Sequence, residues 1–289
     1  MCRLLAYLGN PILMHKLIIE PKNSLINQST NAQEIEEPLN GDGFGIGWYN
    51  HILTDKPAIF TSISPAWNNK SLQSISPSIK SSCFFAHVRA ASVGELSETN
   101  CHPFAYQNLI MMHNGDLGEF SKYKRALRSR LSDELYNWIK GQTDSEHLFA
   151  LFIDTLNRLK STAEISAELI TEALRETILI VEKVKKEANV KETSYLNLVV
   201  GDGECMVGLR YVSDLKIKPL SLYYSEGLRF ECEDGLCKML PAKAENKSTL
   251  IVSEKLSSEI KDWKPVPANN FVLVHKDLSI KLEAFQLLK

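Results

Sequence analysis

Short apolar runs bounded by turn residues recur through the first part of the chain, at residues 4–8, 44–49, 58–62, 83–89 and 109–113. Alternating or short continuous apolar stretches of this length predict β-strands. The period then changes. Between residues 145 and 159, Leu148, Phe149, Phe152, Leu156 and Leu159 share one helical face, and between 163 and 188 so do Leu169, Leu174, Ile178, Val181 and Val184. Two amphipathic helices follow from that spacing. Glu164, Glu168, Glu172, Arg175 and Glu176 lie on the opposite side of the second one, as a solvated face would require. Strand texture returns at 195–200, 204–211, 220–224, 248–253, 270–275 and 279–285. Gly201-Asp202-Gly203, between the first two of these, predicts a tight hairpin, because glycine accepts the positive φ that such turns need.

Strands, then helices, then strands again predict an α+β fold of two antiparallel sheets with helices packed outside or between them. No internal repeat, low-complexity tract or Pro/Gly/Ser-rich linker divides the chain, so residues 1–289 are expected to form a single domain. Residues 11–38 and 65–82 are rich in Asn, Ser and charged side chains, and are expected to be long surface loops with short helices.

Charge removes several classes of partner. Lys and Arg number 33 against 35 Asp and Glu, a formal charge of -2, which gives no electrostatic case for nucleic acid or an anionic membrane. No apolar run approaches the roughly 18 residues a membrane helix needs, and the opening MCRLLAYLGNPILMHK lacks the basic leader and sustained apolar core of a signal peptide. Cysteines at 2, 83, 101, 205, 232 and 237 form no C-x-x-C pair. Such sparse usage argues for a reducing, cytoplasmic setting rather than a disulfide scaffold. A metal pair at Cys232 and Cys237 lacks a second pair at ligand spacing, and His102 and His113 belong to no metal-ligand cluster. No cofactor and no metal are expected; small, near-neutral substrates are.

Cys2 is the most informative position. Removal of Met1 would leave one residue carrying both a thiol and a free α-amine, with ordinary pKa values of about 8.5 and 7.7–8.0, close enough to exchange a proton near neutral pH. The alternative is a small buried hydrophobe at the start of a strand. Five ordered motifs follow it: NGDGFGIGWY (40–49), AHVRAASVG (86–94), NCHPF (100–104), MHNGDL (112–117) and TDSEHLF (143–149).

Behind an N-terminal cysteine, this series resembles the class II glutamine amidotransferases of the N-terminal-nucleophile hydrolases. The resemblance implies a four-layer αββα sandwich of two mainly antiparallel sheets. It implies Cys2 as nucleophile, and Asn114 with the Gly115 N–H as the oxyanion hole. It also implies Arg89, supported by Ser92, as the grip on the substrate α-carboxylate, with Asp144 on its α-amine. His102 and His113, which sit beside the motifs, are expected in structural or supporting roles, with His102 the better candidate for lining the pocket. The residue types suit these roles, since a guanidinium fork matches a carboxylate and amide donors stabilise a tetrahedral oxyanion. Local alternatives stay open. Asn114-Gly115 also reads as a hairpin turn, Arg89 as half of a surface salt bridge, and Thr143–Glu146 as a helix capping box that can coexist with a ligand role for Asp144. The glycines at 41–47 lack the Lys and Ser/Thr of a phosphate loop, so they are expected to turn into a strand near the active centre, with Asp42 fixing the turn.

The arginine motif, Arg89-Ala90-Ala91-Ser92-Val93-Gly94, departs from synthase-fused relatives, which commonly carry aromatic, Thr and His residues there. At 289 residues the chain has no room for a synthase module after the glutaminase fold, and it looks most like the stand-alone branch, which includes γ-glutamyl amidases of thiol metabolism. Three readings stand: a γ-glutamyl amide hydrolase acting alone, a glutaminase passing ammonia to a separate synthase partner, and a non-catalytic binding or scaffold protein. A homo-oligomer is compatible with each. Discrimination among leaving amines is expected from residues 23–38 or from the Trp67 region.

Overall fold

Side chains that alternate across each strand set the layering. The computed structural model describes residues 2–34, 39–91, 94–160, 164–225, 229–234, 236–241 and 247–286. One sheet contains β1 (Arg3–Leu13), β2 (Phe44–Asn50), β3 (Thr54–Ser62), β4 (Lys80–Val88), β9 (Tyr223–Tyr224), β12 (Ser248–Val252) and β13 (Lys264–Pro265). Its order is β13-β9-β12-β1-β4-β2-β3. The other contains β5 (Phe104–Tyr106), β6 (Leu109–Asp116), β7 (Tyr195–Gly201), β8 (Met206–Val212), β14 (Asn270–Val274) and β15 (Ile280–Ala284), ordered β15-β14-β8-β7-β6-β5. Neighbours in both sheets pair antiparallel. A hairpin of β10 (Arg229–Glu233) and β11 (Leu236–Leu240) stands apart.

Three apolar layers follow from the alternation. Leu4, Ala6 and Leu8 on β1 and Cys83 and Phe85 on β4 meet Ile110, Met112, Val199 and Met206 of the second sheet, all buried. Leu5, Tyr7, Phe84 and Ala86 point the other way, against Leu17 of α1 (His15–Ile18), Leu25 of α2 (Leu25–Asn31) and Leu72 of α3 (Lys70–Ile75). The outer face of the second sheet, including Met111, Leu198 and Leu209, packs on helices. These are the short α4 (Lys124–Arg128) and α5 (Asp133–Trp138) and the long α6 (Asp144–Leu159) and α7 (Ala167–Glu187). The result is helix, sheet, sheet, helix, as the resemblance implied. Each fully buried Leu or Phe in these layers contributes roughly 1.5–3 kcal/mol of transfer free energy.

Several elements differ from expectation. β1 runs past Pro11 to Leu13, with an irregularity in its β4 pairing between Leu8 and Ile12 that absorbs the proline. The second long helix begins at Ala167, where the Ser166 hydroxyl accepts the Leu169 N–H. Gly201–Gly203 does turn the chain: Gly203 has φ +94°, and the Asp202 carboxylate accepts the Glu204 and Cys205 N–H groups. Cys232 and Cys237 face each other across β10 and β11 and are joined as a disulfide, in place of the metal pair considered for them. Among the described residues, no helix is long and apolar enough to cross a membrane.

Candidate active site

Extending the alternation by one step places chemistry in the inter-sheet layer. Cys2 precedes inward-facing Leu4 by two residues, and His87 and Arg89 continue the inward row of Cys83 and Phe85. Arg3 pairs with Val88, so Cys2 lies beside the end of β4. Its sulfur is 3.4 Å from both the Ala90 carbonyl, to which the thiol donates, and the Ala90 N–H, which it accepts. The residue keeps some solvent contact. Desolvation still pushes its thiol pKa up, opposed by the Ala90 hydrogen bond and by the positive charges of Arg89 and Arg3. A proton acceptor is therefore needed to make it a nucleophile at neutral pH.

The 41–43 segment braces Arg89 from the other side. The Arg89 N–H donates to the Gly43 carbonyl at 2.8 Å, the Asp42 N–H donates to the Arg89 carbonyl at 3.0 Å, and the Asp42 carboxylate accepts the Ala91 N–H at 2.8 Å. Asp42 is thus a latch between segments rather than a local turn former. Arg89 itself is 3% exposed, and its Nη1 donates to the Glu95 carbonyl at 3.4 Å. A buried guanidinium of this kind is no surface salt bridge. Ser92 lies outside the described residues. Trp67 packs over the same segment, since a Cβ at Gly41 would lie 2.9 Å from its indole.

Asn114-Gly115 lies inside β6 and is not a hairpin turn. Asn114 is fully buried, and neither its Nδ2 nor its Oδ1 has a hydrogen-bond partner among the described residues. It shares the inward row of Ile110 and Met112. β5 pairs with β6 only as far as Met111, which leaves the far edge of β6 without a strand partner beyond that point among the described residues. The His113 carbonyl faces off that edge to His87 Nε2, 3.2 Å away. By the alternation of an antiparallel strand, the Gly115 N–H points off the same edge. Gly115 has φ +146° and passes tightly beside Tyr195, leaving no space for a side chain.

Asp144 opens α6, 4% exposed. Its Oδ2 accepts the Leu117 N–H at 2.7 Å and its Oδ1 the Ser145 N–H at 2.8 Å, so the start of the helix is clasped to the end of β6. Oδ1 also accepts the Ser145 hydroxyl at 3.2 Å, so it is Oδ2 that retains a lone pair for an ammonium. Beside it, Asp116 has its carboxyl pKa raised by burial and by the charge of Asp144. Thr143 caps the helix as expected, accepting the Glu146 N–H at 3.2 Å. The Glu146 carboxylate, however, takes the Lys140 and Gly141 N–H groups. Asn100 joins the arginine and aspartate loops: its Nδ2 donates to the Glu95 carbonyl at 2.9 Å and its Oδ1 accepts the Gln142 N–H at 2.8 Å.

His102, 4% exposed, packs with its ring tilted 4.3 Å from that of His87 and edge-on 4.6 Å from that of Phe104. Burial holds it neutral, far below the ordinary histidine range, and holds His87 at about 3. His113 is a brace, bonded to the Ser145 hydroxyl and the Tyr195 carbonyl. Among the described residues, no group of three or more His, Cys, Asp or Glu side chains is arranged to hold a metal. Residue-by-residue reading of the sequence passed over His87, Asn100 and Asn197. The one signal for Asn197 was a polar residue in an otherwise apolar strand, on the inward parity of Val199.

The sequence model of the class-II glutamine amidotransferases matches residues 1–281. The chain is 38% identical over 293 residues to the probable glutamine amidotransferase DUG3 of Saccharomyces cerevisiae, covering 96% of this chain and 82% of that one. It is 32% identical over 117 residues to the gamma-glutamyl-hercynylcysteine sulfoxide hydrolase of Mycobacterium tuberculosis, covering 40% and 49% respectively. A solved glutamine aminotransferase class-II domain protein from Silicibacter pomeroyi has the same fold, with a TM-score of 0.69 at 22% identity over 98% of each chain.

Proposed function

This chain belongs to the class II glutamine amidotransferases, and on that premise we propose that it hydrolyses a γ-glutamyl amide through a thioester on Cys2. An enzyme of the glutamine amidotransferase and γ-glutamyl hydrolase type is what the family and its relatives establish; the finer chemistry is our reading. In it, residues 1–289 act as one catalytic unit and removal of Met1 frees the Cys2 α-amine. The amine takes the thiol proton, directly or through one water, and the thiolate attacks the side-chain carbonyl of the substrate. The resulting oxyanion receives hydrogen bonds from Asn114 Nδ2 and the Gly115 N–H. The carbon–nitrogen bond breaks as the ammonium returns its proton to the departing amine. Water, activated by the same amine, then cleaves the thioester and releases glutamate.

Arg89 grips the α-carboxylate and Asp144 the α-amine, which leaves the side-chain amide directed at Cys2. One observation carries the reading: the Asn114 carboxamide is fully buried in the inter-sheet layer with both polar atoms unsatisfied among the described residues. Leaving such a group unpaired costs about 1–3 kcal/mol, and a carboxamide held to meet a reacting carbonyl explains why it is kept. The test is glutamate release by the purified chain from a panel of γ-glutamyl amides, with glutamine among them. Turnover by the chain alone, abolished in Cys2→Ala, supports the hydrolase. Turnover that needs a second polypeptide supports the ammonia-passing alternative.

A further inference from the structure

The neighbour of Asn114 on β7 is also an asparagine. Asn197 pairs directly with Asn114 in the β6–β7 register, so the two Cβ atoms stand roughly 4.5–5.5 Å apart on one face. Asn197 is fully buried too. Its Nδ2 donates to the Ser221 carbonyl at 2.7 Å, while its Oδ1 has no partner among the described residues. Which end of an amide carries nitrogen is decided by its surroundings, and here the surroundings are unambiguous. Only a donor can face the Ser221 carbonyl, so the other end of Asn197 must be an acceptor. Ser221 is itself anchored: its hydroxyl donates to the Ser253 carbonyl at 2.8 Å, and the Ser253 hydroxyl accepts the Leu4 N–H at 3.0 Å, two residues from Cys2.

We infer that Asn197 is a positioning residue that fixes which way the Asn114 carboxamide faces. This rests on the thioester reading above. Two flip states of Asn114 are available in a buried site. In one, its Oδ1 stands against Asn197 Oδ1, acceptor against acceptor, with neither satisfied. In the other, one N–H of Asn114 Nδ2 turns to Asn197 Oδ1, a bond not made in this structure, the second N–H is left for the developing oxyanion, and Oδ1 is left to accept from the α-ammonium of the mature Cys2. The second state satisfies every polar atom of the pair during the reaction, and the first satisfies fewer while presenting the wrong end to negative charge. Arg210, the next residue across the sheet in register with Asn197, spends its guanidinium on the Leu220, Val266 and Pro219 carbonyls. It therefore offers Asn197 no competing donor of its own.

Steady-state kinetics on glutamine test this, with Asn197→Leu and Asn114→Ala made singly and together and with Asn197→Asp over a pH series. Asn197→Leu is expected to lower kcat about 10- to 100-fold, part of the loss typical when an oxyanion donor is removed, with KM changed less than about threefold. In the Asn114→Ala background the same change is expected to cost less than about threefold, because the two residues act as one unit. Asn197→Asp, when protonated, keeps both the donor to Ser221 and the acceptor towards Asn114. Its activity relative to the wild type at each pH is therefore expected to rise as pH falls, a dependence that a packing defect would not produce. Wild-type kcat in Asn197→Leu, or an equal fold-loss with and without Asn114, overturns the inference. If Asn197→Leu fails to fold, a pH-independent activity ratio for Asn197→Asp overturns it instead. A wild-type chain that releases no glutamate defeats the functional reading as a whole, which separates that failure from this one.

Discussion

The Asp42 carboxylate accepts the Ala91 N–H at 2.8 Å, tying the glycine-rich segment before β2 to the residue just beyond the one that touches the Cys2 sulfur. Two stretches nearly 50 positions apart in the chain are thereby made into one wall of the site. Asp42→Ala removes a partly exposed, charge-assisted hydrogen bond worth about 1.5 kcal/mol, the low end for bonds to charged groups. The expected result is a fall of about tenfold in kcat/KM for glutamine with little change in thermal stability. An unchanged kcat/KM would show that the end of β4 is held by the backbone bonds to Asp42 and Gly43 alone.

Arg89→Lys keeps the charge and loses the planar fork. The account assigns that fork to the substrate α-carboxylate, so KM for glutamine should rise and kcat/KM fall about 10- to 100-fold, in line with roughly 1.5–3 kcal/mol for a charged hydrogen bond. Initial-rate measurements over a range of substrate concentrations check it. A fall in kcat with KM unchanged would contradict the assignment.

His147 is fully buried on α6, with its Nδ1 bonded to the Thr143 carbonyl, and burial lowers its pKa to about 4. In the unfolded chain it titrates near 6.5. Between those values the unfolded state binds a proton that the folded state does not, so stability falls as pH drops from about 6.5 towards 4. His147→Gln removes this dependence. Its stability deficit should be largest at pH 7.5 and should narrow by up to about 1.4 kcal/mol per pH unit below 6.5, read from urea midpoints. A deficit constant with pH would mean that the ring binds its proton equally well in the folded and unfolded chains.

Local pattern made much of this fold legible. The amphipathic stripes on α6 and α7 and the apolar runs of β2, β4 and β6 are near-neighbour signals, and the structure has elements at each. Features set by distant contacts were hidden. β1 continues through Pro11 because β4 pairs with it again at Ile12 and Leu13, and the two-residue strand β13 exists only as a pairing partner of β9. Within the site, Cys2, Arg89 and Asn114 stand in short motifs and could be named, and strand parity brings them to one layer. Asn114-Gly115 read equally as a turn, since nothing in the dipeptide tells a strand interior from a hairpin. Asp42 and Asn197 acquire their places from register across the sheets, which a linear reading does not contain.

The central claim is that the reaction passes through a glutamyl thioester on an N-terminal Cys2. It is tested most directly by intact-mass and peptide-mapping mass spectrometry of enzyme quenched in acid during turnover of its best γ-glutamyl substrate. The account predicts a chain lacking Met1, with one glutamyl group carried by Cys2 and absent from Cys2→Ala. A fully active chain that retains Met1, or a glutamyl adduct mapped to any other residue, would contradict it.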